Sequence, residues 1–418
     1  MASDVRIRSW KTSVSVAELS TREKILFLSP FFHPEAISTG RYNGYLARAL
    51  VEAGFRLDVI TSHPLYPDWK PKASNATMVG AAIYRGGLSI RYPASAILRR
   101  IVLELWFAWY VGRLLVVSRE RYEVGVVIFP PVCFALLPRR LFGAKKIVGI
   151  VHDLLGVMAK TRGGIVRRFI AKTMTSVERK AFQRCDRLIC LSQAMREIMV
   201  RDYGIPAEKI VVRYPFPTFC KDPAEDCLKL LFDSTAIHVV YSGALGEKQR
   251  PKDLLDLFEA VCAENPRVVC HIFSRGPLFD ALQRSARGAA IQRRVLFHDL
   301  VPDESLVELY MRSHVQIIPQ AEGTDAGAFP SKLPNLLVVG VPVFAICDRH
   351  SELASVIRES GCGLATDSRD PQGLARALAD FVETVVGGES HPQRREWLSR
   401  YVEEKFSLSR LVTALTVF

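Results

Sequence analysis

The chain has 418 residues, a net charge of +13 and a hydrophobic fraction of 49%. That length exceeds one compact core and fits two domains, and the apolar content excludes a disordered or low-complexity chain. Nine cysteines stand singly with no CxxC pair, which argues for a reducing compartment and against a disulfide framework.

Met1–Arg22 is polar, lacks the apolar core of a secretory signal, and reads as a loose extension. Lys24–Ser29 (KILFLS) predicts a first strand, followed by a loop carrying Pro30, Pro34 and Gly40. Helical spacing over Arg41–Ala53 ends at Gly54, and Arg56–Thr61 is the next strand. This strand–helix–strand rhythm is the signature of a parallel sheet. It recurs with strands at Gly125–Phe129, Lys146–Val151, Arg187–Leu191 and Lys209–Arg213. Pro215, Pro217 and Pro223 mark a linker, and the rhythm restarts at His238–Ser242. Strands follow at Val268–Phe273, Val295–Phe297, Val315–Ile318 and Val343–Ile346, and a helical segment, Trp397–Phe418, is expected to pack back toward the first half. The expected fold is α/β, with two doubly wound Rossmann-like domains facing each other across a cleft. The expected divisions are 1–22 (extension), 23–215 (first domain), 216–396 (second domain) and 397–418 (terminal helix).

Charge is unevenly shared. Met1–Pro215 has 34 Lys and Arg against 16 Asp and Glu, a net +18, whereas the remainder carries −5. A one-sided basic field implies an anionic partner on the first half: lipid headgroups, a phosphorylated acceptor or nucleic acid. Ile97–Val117 is strongly apolar, with Trp106, Phe107, Trp109 and Tyr110, but Arg99, Arg100, Glu104 and Arg113 break it up. It falls short of the ~20 apolar residues of a spanning helix. It reads either as a helix lying in a membrane interface or as an amphipathic core helix. Gly164–Arg184 has an apolar face and separate basic positions at Arg168, Lys172 and Arg179. Taken with the +18 half, it favours docking at a membrane surface.

The segment Val315–Ala345 reads strand, glycine-bearing loop, helix, strand. Pro330 and Ser331 are expected to open a helix whose first turn carries Lys332. Such a start directs free N–H groups and a positive dipole end at an anion. Lys332 adds a full charge, and Ser331 can cap the helix or donate to a phosphate oxygen; the alternative is a capped helix with a solvated lysine. His152 and Asp153 follow the strand Lys146–Val151 directly, at the edge that faces the cleft in this architecture. A neutral histidine there can bond a substrate hydroxyl, with the aspartate polarising a partner; the alternative is a structural histidine. The turn after His238–Ser242, GALGEKQ, places Gly243 and Gly246 for close backbone approach to a diphosphate and Lys248 for its charge. It lacks the Gly-Lys-Ser/Thr of a P-loop. Glu322 and Asp325, in the loop before Lys332, are candidates for sugar hydroxyls, or simply solvated acids. No Asp-x-Asp, HExxH, Cys/His cluster or GxGxxG occurs, so neither a metal site nor dinucleotide binding is expected.

Together these residues resemble the GT-B-fold retaining glycosyltransferases of family four, and within it the colanic-acid and O-antigen type of bacterial polysaccharide enzyme. The likeness runs from about Lys24 to the end. It rests on Phe31–Gly40 (FFHPEAISTG), His63–Trp69 (HPLYPDW), Tyr241–Gln249 (YSGALGEKQ) and Thr324–Val343 (TDAGAFPSKLPNLLVVGVPV). The resemblance implies a nucleotide-sugar donor on the second domain, an acceptor on the first, retention at the anomeric carbon, and no metal ion or other cofactor. It implies that Gly40 lies nearest the donor phosphates and His152 near the transferred sugar. Lys248 and Lys332 would stabilise the leaving diphosphate, with Ser331 assisting. Asn335 falls where relatives carry the second glutamate of an E-x7-E pair that grips the donor ribose. Gly327 replaces the first glutamate, and Ala244 replaces a phosphate-binding arginine. The expected activity is transfer of a sugar from a nucleoside diphosphate to a saccharide on a polyprenyl diphosphate lipid. That work would take place in the cytoplasm, at the inner face of the plasma membrane, on an anionic lipid surface. Two alternatives are a nucleotide-sugar 2-epimerase of the same fold and a non-catalytic protein binding anionic lipid or nucleic acid. Nucleic acid is not expected, because the basic half lacks interleaved stacking aromatics.

Overall fold

The computed structural model describes residues 23–35, 37–66, 68–160, 165–218, 226–286, 293–324, 329–388 and 392–418. The first domain is built on β1 (Lys24–Leu28), β2 (Arg56–Ser62), β3 (Ala81–Gly86), β4 (Tyr122–Phe129), β5 (Ala144–Val151), β6 (Arg187–Cys190) and β7 (Ile210–Val212). They form a sheet of order β3-β2-β1-β4-β5-β6-β7, and each of its pairings is parallel. The second domain holds β8 (Ile237–Ser242), β9 (Val268–Phe273), β10 (Val295–His298), β11 (Val315–Pro319), β12 (Val343–Ile346) and β13 (Gly363–Thr366). Their order is β10-β9-β8-β11-β12-β13, again parallel. The central strands are near-continuous apolar runs because helices cover both faces. Phe27, Val126, Val148 and Ile150 are fully buried in the first core, as are Val239, Ile272, Ile317 and Phe344 in the second. Each such side chain contributes about 1.5–3 kcal/mol by leaving water.

Strand order reverses between β1 and β4 in one sheet and between β8 and β11 in the other. In a doubly wound sheet, ligands bind at the carboxyl side of that reversal, where the loops part. The two crevices define the site described below.

The chain crosses between domains twice. The first crossing follows β7: Phe216 is buried in the first core, its ring tilted against Tyr42 at 4.2 Å. The second follows the helix Pro392–Lys405, which is tied to the second domain. Trp397 Nε1 donates to Ser360 O at 3.2 Å, and Tyr401 Oη donates to Glu359 at 2.8 Å. The expected single helix over Trp397–Phe418 breaks at Phe406–Ser407, where Ser407 caps a new helix, Leu408–Thr416. Leu411, Val412 and Leu415 of that helix enter the first domain's core beside Leu46 and Phe27. Arg187 donates to Ala414 O at 2.9 Å. The two crossings touch: Tyr214 and Phe406 lie 5.5 Å apart, and Phe329 packs on both.

One polar feature lies under the first crossing. His238, His271 and His298 come from the adjacent strands β8, β9 and β10. His238 Nδ1 and His271 Nε2 are 3.0 Å apart, as are His271 Nδ1 and His298 Nε2. His238 Nε2 lies 2.8 Å from Asp233 O, which can only accept. That carbonyl fixes the proton on Nε2 of each ring in turn, so the column is neutral and runs in one direction. His314 Nδ1 accepts from the His238 backbone N–H at 3.0 Å. Phe232, from the crossing segment, stacks on His271 at 4.8 Å. Burial lowers the pKa of all four imidazoles, His271 to about 3.

Candidate active site

His152 and Asp153 follow β5 at the carboxyl edge of the first sheet. The His152 backbone N–H donates to Phe129 O at 2.9 Å, extending the ladder by one residue. Its ring meets Tyr42 edge-on at 4.9 Å, and its Nε2 is buried with no protein partner among the described residues. Burial brings its pKa down to about 4, with Asp153 opposing weakly, so the imidazole is neutral near pH 7. The next turn is held from beneath. The buried Glu178 accepts from Leu155 N at 2.8 Å, Gly156 N at 3.0 Å and Tyr203 Oη at 2.7 Å. Sequence reasoning passed over Glu178 because it lies in a helix more than twenty residues downstream. Tyr42 was missed as well; it is buried and its hydroxyl also lacks a protein partner among the described residues.

Gly40 is not in the loop but in the first turn of the helix Ser38–Glu52. A Cβ there would lie 2.6 Å from Glu35 Cβ and 2.8 Å from Glu35 O. The missing side chain lets the loop after β1 fold against the helix. Glu35 then accepts from Leu65 N at 2.7 Å and Tyr66 N at 3.1 Å, joining the loops after β1 and β2.

On the second domain, β8 is followed by Gly243, whose φ of 134° suits glycine alone. Gly246 N donates to Gln249 Oε1 at 2.9 Å and closes the turn. Lys248 leaves that turn and crosses the cleft, with Nζ 3.2 Å from Asp153 Oδ1. Other contacts across the gap are an Arg41–Asp303 ion pair and a Tyr66 hydroxyl that donates to Arg275 O at 3.2 Å. Glu352, from the second domain, accepts from Gln193 N at 2.9 Å and Ala194 N at 3.1 Å.

The helix expected to open at Pro330 and Ser331 opens two residues later, over Leu333–Val339. Pro334 lacks an N–H and fits a first turn, which shifts the start past Lys332. Lys332 therefore does not stand in the helix's first turn. Its amine reaches the reversal point of the second sheet and donates to Ser242 O of β8 at 3.0 Å and to Ile317 O of β11 at 3.1 Å. It lies 4.2 Å from the centre of the Tyr241 ring. Burial lowers its pKa to about 7. Ser331 and Glu322 are exposed at the same edge. Asp325 and Gly327 lie outside the described residues. Asn335 is buried, and both ends of its amide are engaged: Oδ1 accepts from Thr218 N at 2.7 Å, and Nδ2 donates to Thr218 O at 3.2 Å. The resemblance put Asn335 on a donor ribose; here its amide ties the second domain to the first crossing.

Two family models match this chain in succession: "Glycosyltransferase Family 4" over residues 39–216 and "Glycosyl transferases group 1" over residues 225–397. The chain belongs to glycosyltransferase family 4. This glycosyltransferase is 24% identical over 417 residues to the putative colanic acid biosynthesis glycosyl transferase WcaI of Escherichia coli, covering 93% of this chain and 98% of that protein. It is 22% identical to the probable glycosyltransferase WbjE of Pseudomonas aeruginosa, over 63% of this chain and 67% of that one. Among solved structures it resembles WaaG, a glycosyltransferase of lipopolysaccharide biosynthesis, with a TM-score of 0.67 and 14% identity over 94% of this chain and 100% of WaaG. It also resembles sucrose-phosphate synthase from Thermosynechococcus elongatus, with a TM-score of 0.68 and 17% identity over 94% and 95% of the two chains. Anabaena HepE, solved with UDP, gives 0.63 and 15% over 94% and 98%. These likenesses fix the fold as GT-B: two Rossmann-like domains facing one cleft.

Proposed function

We propose that this glycosyltransferase moves a sugar from a nucleoside-diphosphate donor to a lipid-linked saccharide, a polyprenyl diphosphate glycan of surface polysaccharide synthesis, with retention and without a metal ion. The observation that carries this reading is the meeting of Lys248 with Asp153 between the carboxyl edges of the two sheets. A cation from one domain is balanced by a carboxylate of the other, on a cleft whose reversal points face each other. A diphosphate entering there competes with Asp153 for Lys248. Lys332 adds a second cation when protonated, and the open backbone at Gly243 and Gly246 admits the phosphates closely. Charge accumulating on the leaving diphosphate is then neutralised in place, the kind of electrostatic contribution that often dominates catalysis. Ser331 and Glu322, both exposed, supply further polar groups to the donor, and Asp325 is a further candidate from the sequence alone. Neutral His152 faces the transferred sugar and bonds a hydroxyl without adding charge. The names of WcaI and WaaG support polysaccharide synthesis as the setting. The net +18 of the first 215 residues supports an anionic membrane surface, the cytoplasmic leaflet, as the place of work.

The test is a panel of UDP-, GDP-, dTDP- and ADP-sugars with a polyprenyl diphosphate-linked acceptor. Products would be read by mass and by the anomeric coupling of the new linkage, with and without a chelator. Transfer with an unchanged anomeric configuration and no loss to chelator is the expected result. An isomerised nucleotide sugar formed from donor alone would replace this reading with the epimerase one.

A further inference from the structure

The helix Ala96–Val117 buries one face and leaves the other bare. Leu103, Phe107, Val111 and Leu115 are buried against the first domain, whereas Leu105 is 63% exposed, Trp109 59% and Val116 67%. Leu98 and Ile101 continue the bare stripe toward the amino end. Their spacing follows the helical period, so the stripe runs most of the length of the helix, about 27 Å. The charged residues nearby are drawn aside: Arg99 lies over the Trp69 ring at 4.2 Å, and Arg100 pairs with Glu104 at 3.0 Å. Glu104 in turn accepts from Val132 N at 2.8 Å and Cys133 N at 2.9 Å. Monomeric proteins rarely leave an apolar strip of this size uncovered.

The carboxyl end of the stripe meets arginines. Arg113 and Arg119 are exposed there. Beyond them a crevice of about 850 Å³ is lined by Arg121, Arg139, Arg140 and Lys145, with Glu23 and Glu123 among its walls. Lys145 pairs with Glu123 and Arg139 with Asp186. Arg121 and Arg140 are exposed, with no side-chain partner among the described residues. Among the described residues no helix is long and apolar enough to cross a membrane.

We propose that this stripe is the docking face for an anionic bilayer. The apolar side chains enter the boundary between headgroups and acyl chains, and Arg113, Arg119, Arg121 and Arg140 take lipid phosphates. Charge selects this occupant. A second copy of the chain would bring another +18 half against the first, whereas an anionic leaflet gains about 1 kcal/mol per basic residue near it. Placement gives the docking a purpose. Tyr110 packs against Gly86 at the carboxyl end of β3, so the half of the helix before Tyr110 projects past the sheet edge that faces the cleft. A docked stripe holds the cleft mouth beside the lipid surface. The proposal deepens the lipid-linked reading of the acceptor and rests on it.

The test is flotation of the full chain with phosphatidylcholine vesicles, with and without phosphatidylglycerol. Binding should need the anionic lipid. It should fall about tenfold or more in Leu105→Glu/Trp109→Glu, and about fivefold in each of Arg121→Ala and Arg140→Ala. Bromolipid quenching of wild-type emission should shrink in Trp109→Phe. Unchanged thermal midpoints and nucleoside-diphosphate binding in each variant would show intact folding. Equal binding by the Leu105/Trp109 double variant would overturn the proposal, as would failure of the wild type to bind. A concentration-dependent dimer abolished by the double variant would assign the stripe to a second copy. Vesicle binding by a protein that transfers sugar only to free saccharides would sink the lipid-linked reading and leave the docking face standing.

Discussion

Lys248 and Asp153 meet across the cleft at 3.2 Å, one from the turn after β8 and the other from the edge after β5. Their side chains are 29% and 35% exposed, so water screens the pair and its worth to stability is about 0–1 kcal/mol. Its consequence is for binding. Asp153→Asn should release Lys248 and tighten nucleoside-diphosphate binding several-fold, while Lys248→Ala should weaken it, both with little change in melting temperature. Calorimetric titration of UDP and GDP reads the effect; an unchanged affinity in Asp153→Asn would remove the bridge from the path of the donor.

Lys332 should make donor binding depend on pH. Burial holds its pKa at about 7, and a diphosphate beside it raises that value. Binding above pH 7 therefore takes up a proton, and affinity should fall by up to about tenfold per pH unit until the raised value is reached. Titrations at pH 8 in buffers of different ionisation heat measure the uptake directly. The stability effect has the opposite slope. The unfolded lysine keeps its proton to pH 10.5, the folded one only to about 7, so this residue's contribution grows as pH rises between them. Lys332→Met should abolish both trends and cost about 1–3 kcal/mol, because the Ser242 and Ile317 carbonyls lose their donor.

The histidine column should make the second domain acid-sensitive. Its rings are neutral when folded, and His271 resists protonation to about pH 3. Near and above pH 6.5 neither state holds the extra proton and the contribution is complete. As pH falls below 6.5 the unfolded chain binds protons first, so stability is lost progressively toward pH 3, at roughly 1.4 kcal/mol per unit from His271 alone. The charged neighbour in contact with the column is Asp233, whose carboxylate is held by Thr235. Urea unfolding between pH 4 and 7 should show this slope, and His271→Phe should flatten it.

Asn335→Asp tests the tie to Thr218. The aspartate has the same shape but replaces a donor by an oxygen facing Thr218 O, itself an acceptor. A loss of about 1–3 kcal/mol is expected by calorimetry. Asn335→Glu, the residue the family resemblance implies for this position, should also destabilise rather than improve this chain.

The parallel architecture was legible because central strands buried on both faces are unbroken apolar runs. Ala81–Gly86 and Gly363–Thr366 were not, since both are edge strands and partly exposed; AAIYRG and GLAT carry no clean period. The positions of His152, Asp153 and Lys248 followed from strand ends. Where the side chains reach did not: a lysine after a predicted strand looks the same whether it meets solvent, a ligand or Asp153. Lys332 and Asn335 show this most clearly. Their spacing marks the site, but the partners they hold, Ser242, Ile317 and Thr218, are 15 to 117 residues away. The histidine column has the same cause, since strand order alone brings positions 238, 271 and 298 together.

The aromatic trio Tyr214, Phe329 and Phe406 has a mechanical consequence. Both covalent passages between the lobes are clamped side by side there, so they act as one pin. The ties at the pin are packed aromatic rings, whereas the Lys248–Asp153 pair on the cleft is partly exposed, so the lobes part at less cost at the Lys248 edge than at the pin. Cutting the chain before Ser407 would do more than shorten it, because the front lobe would lose the wedge that its own first 215 residues do not supply.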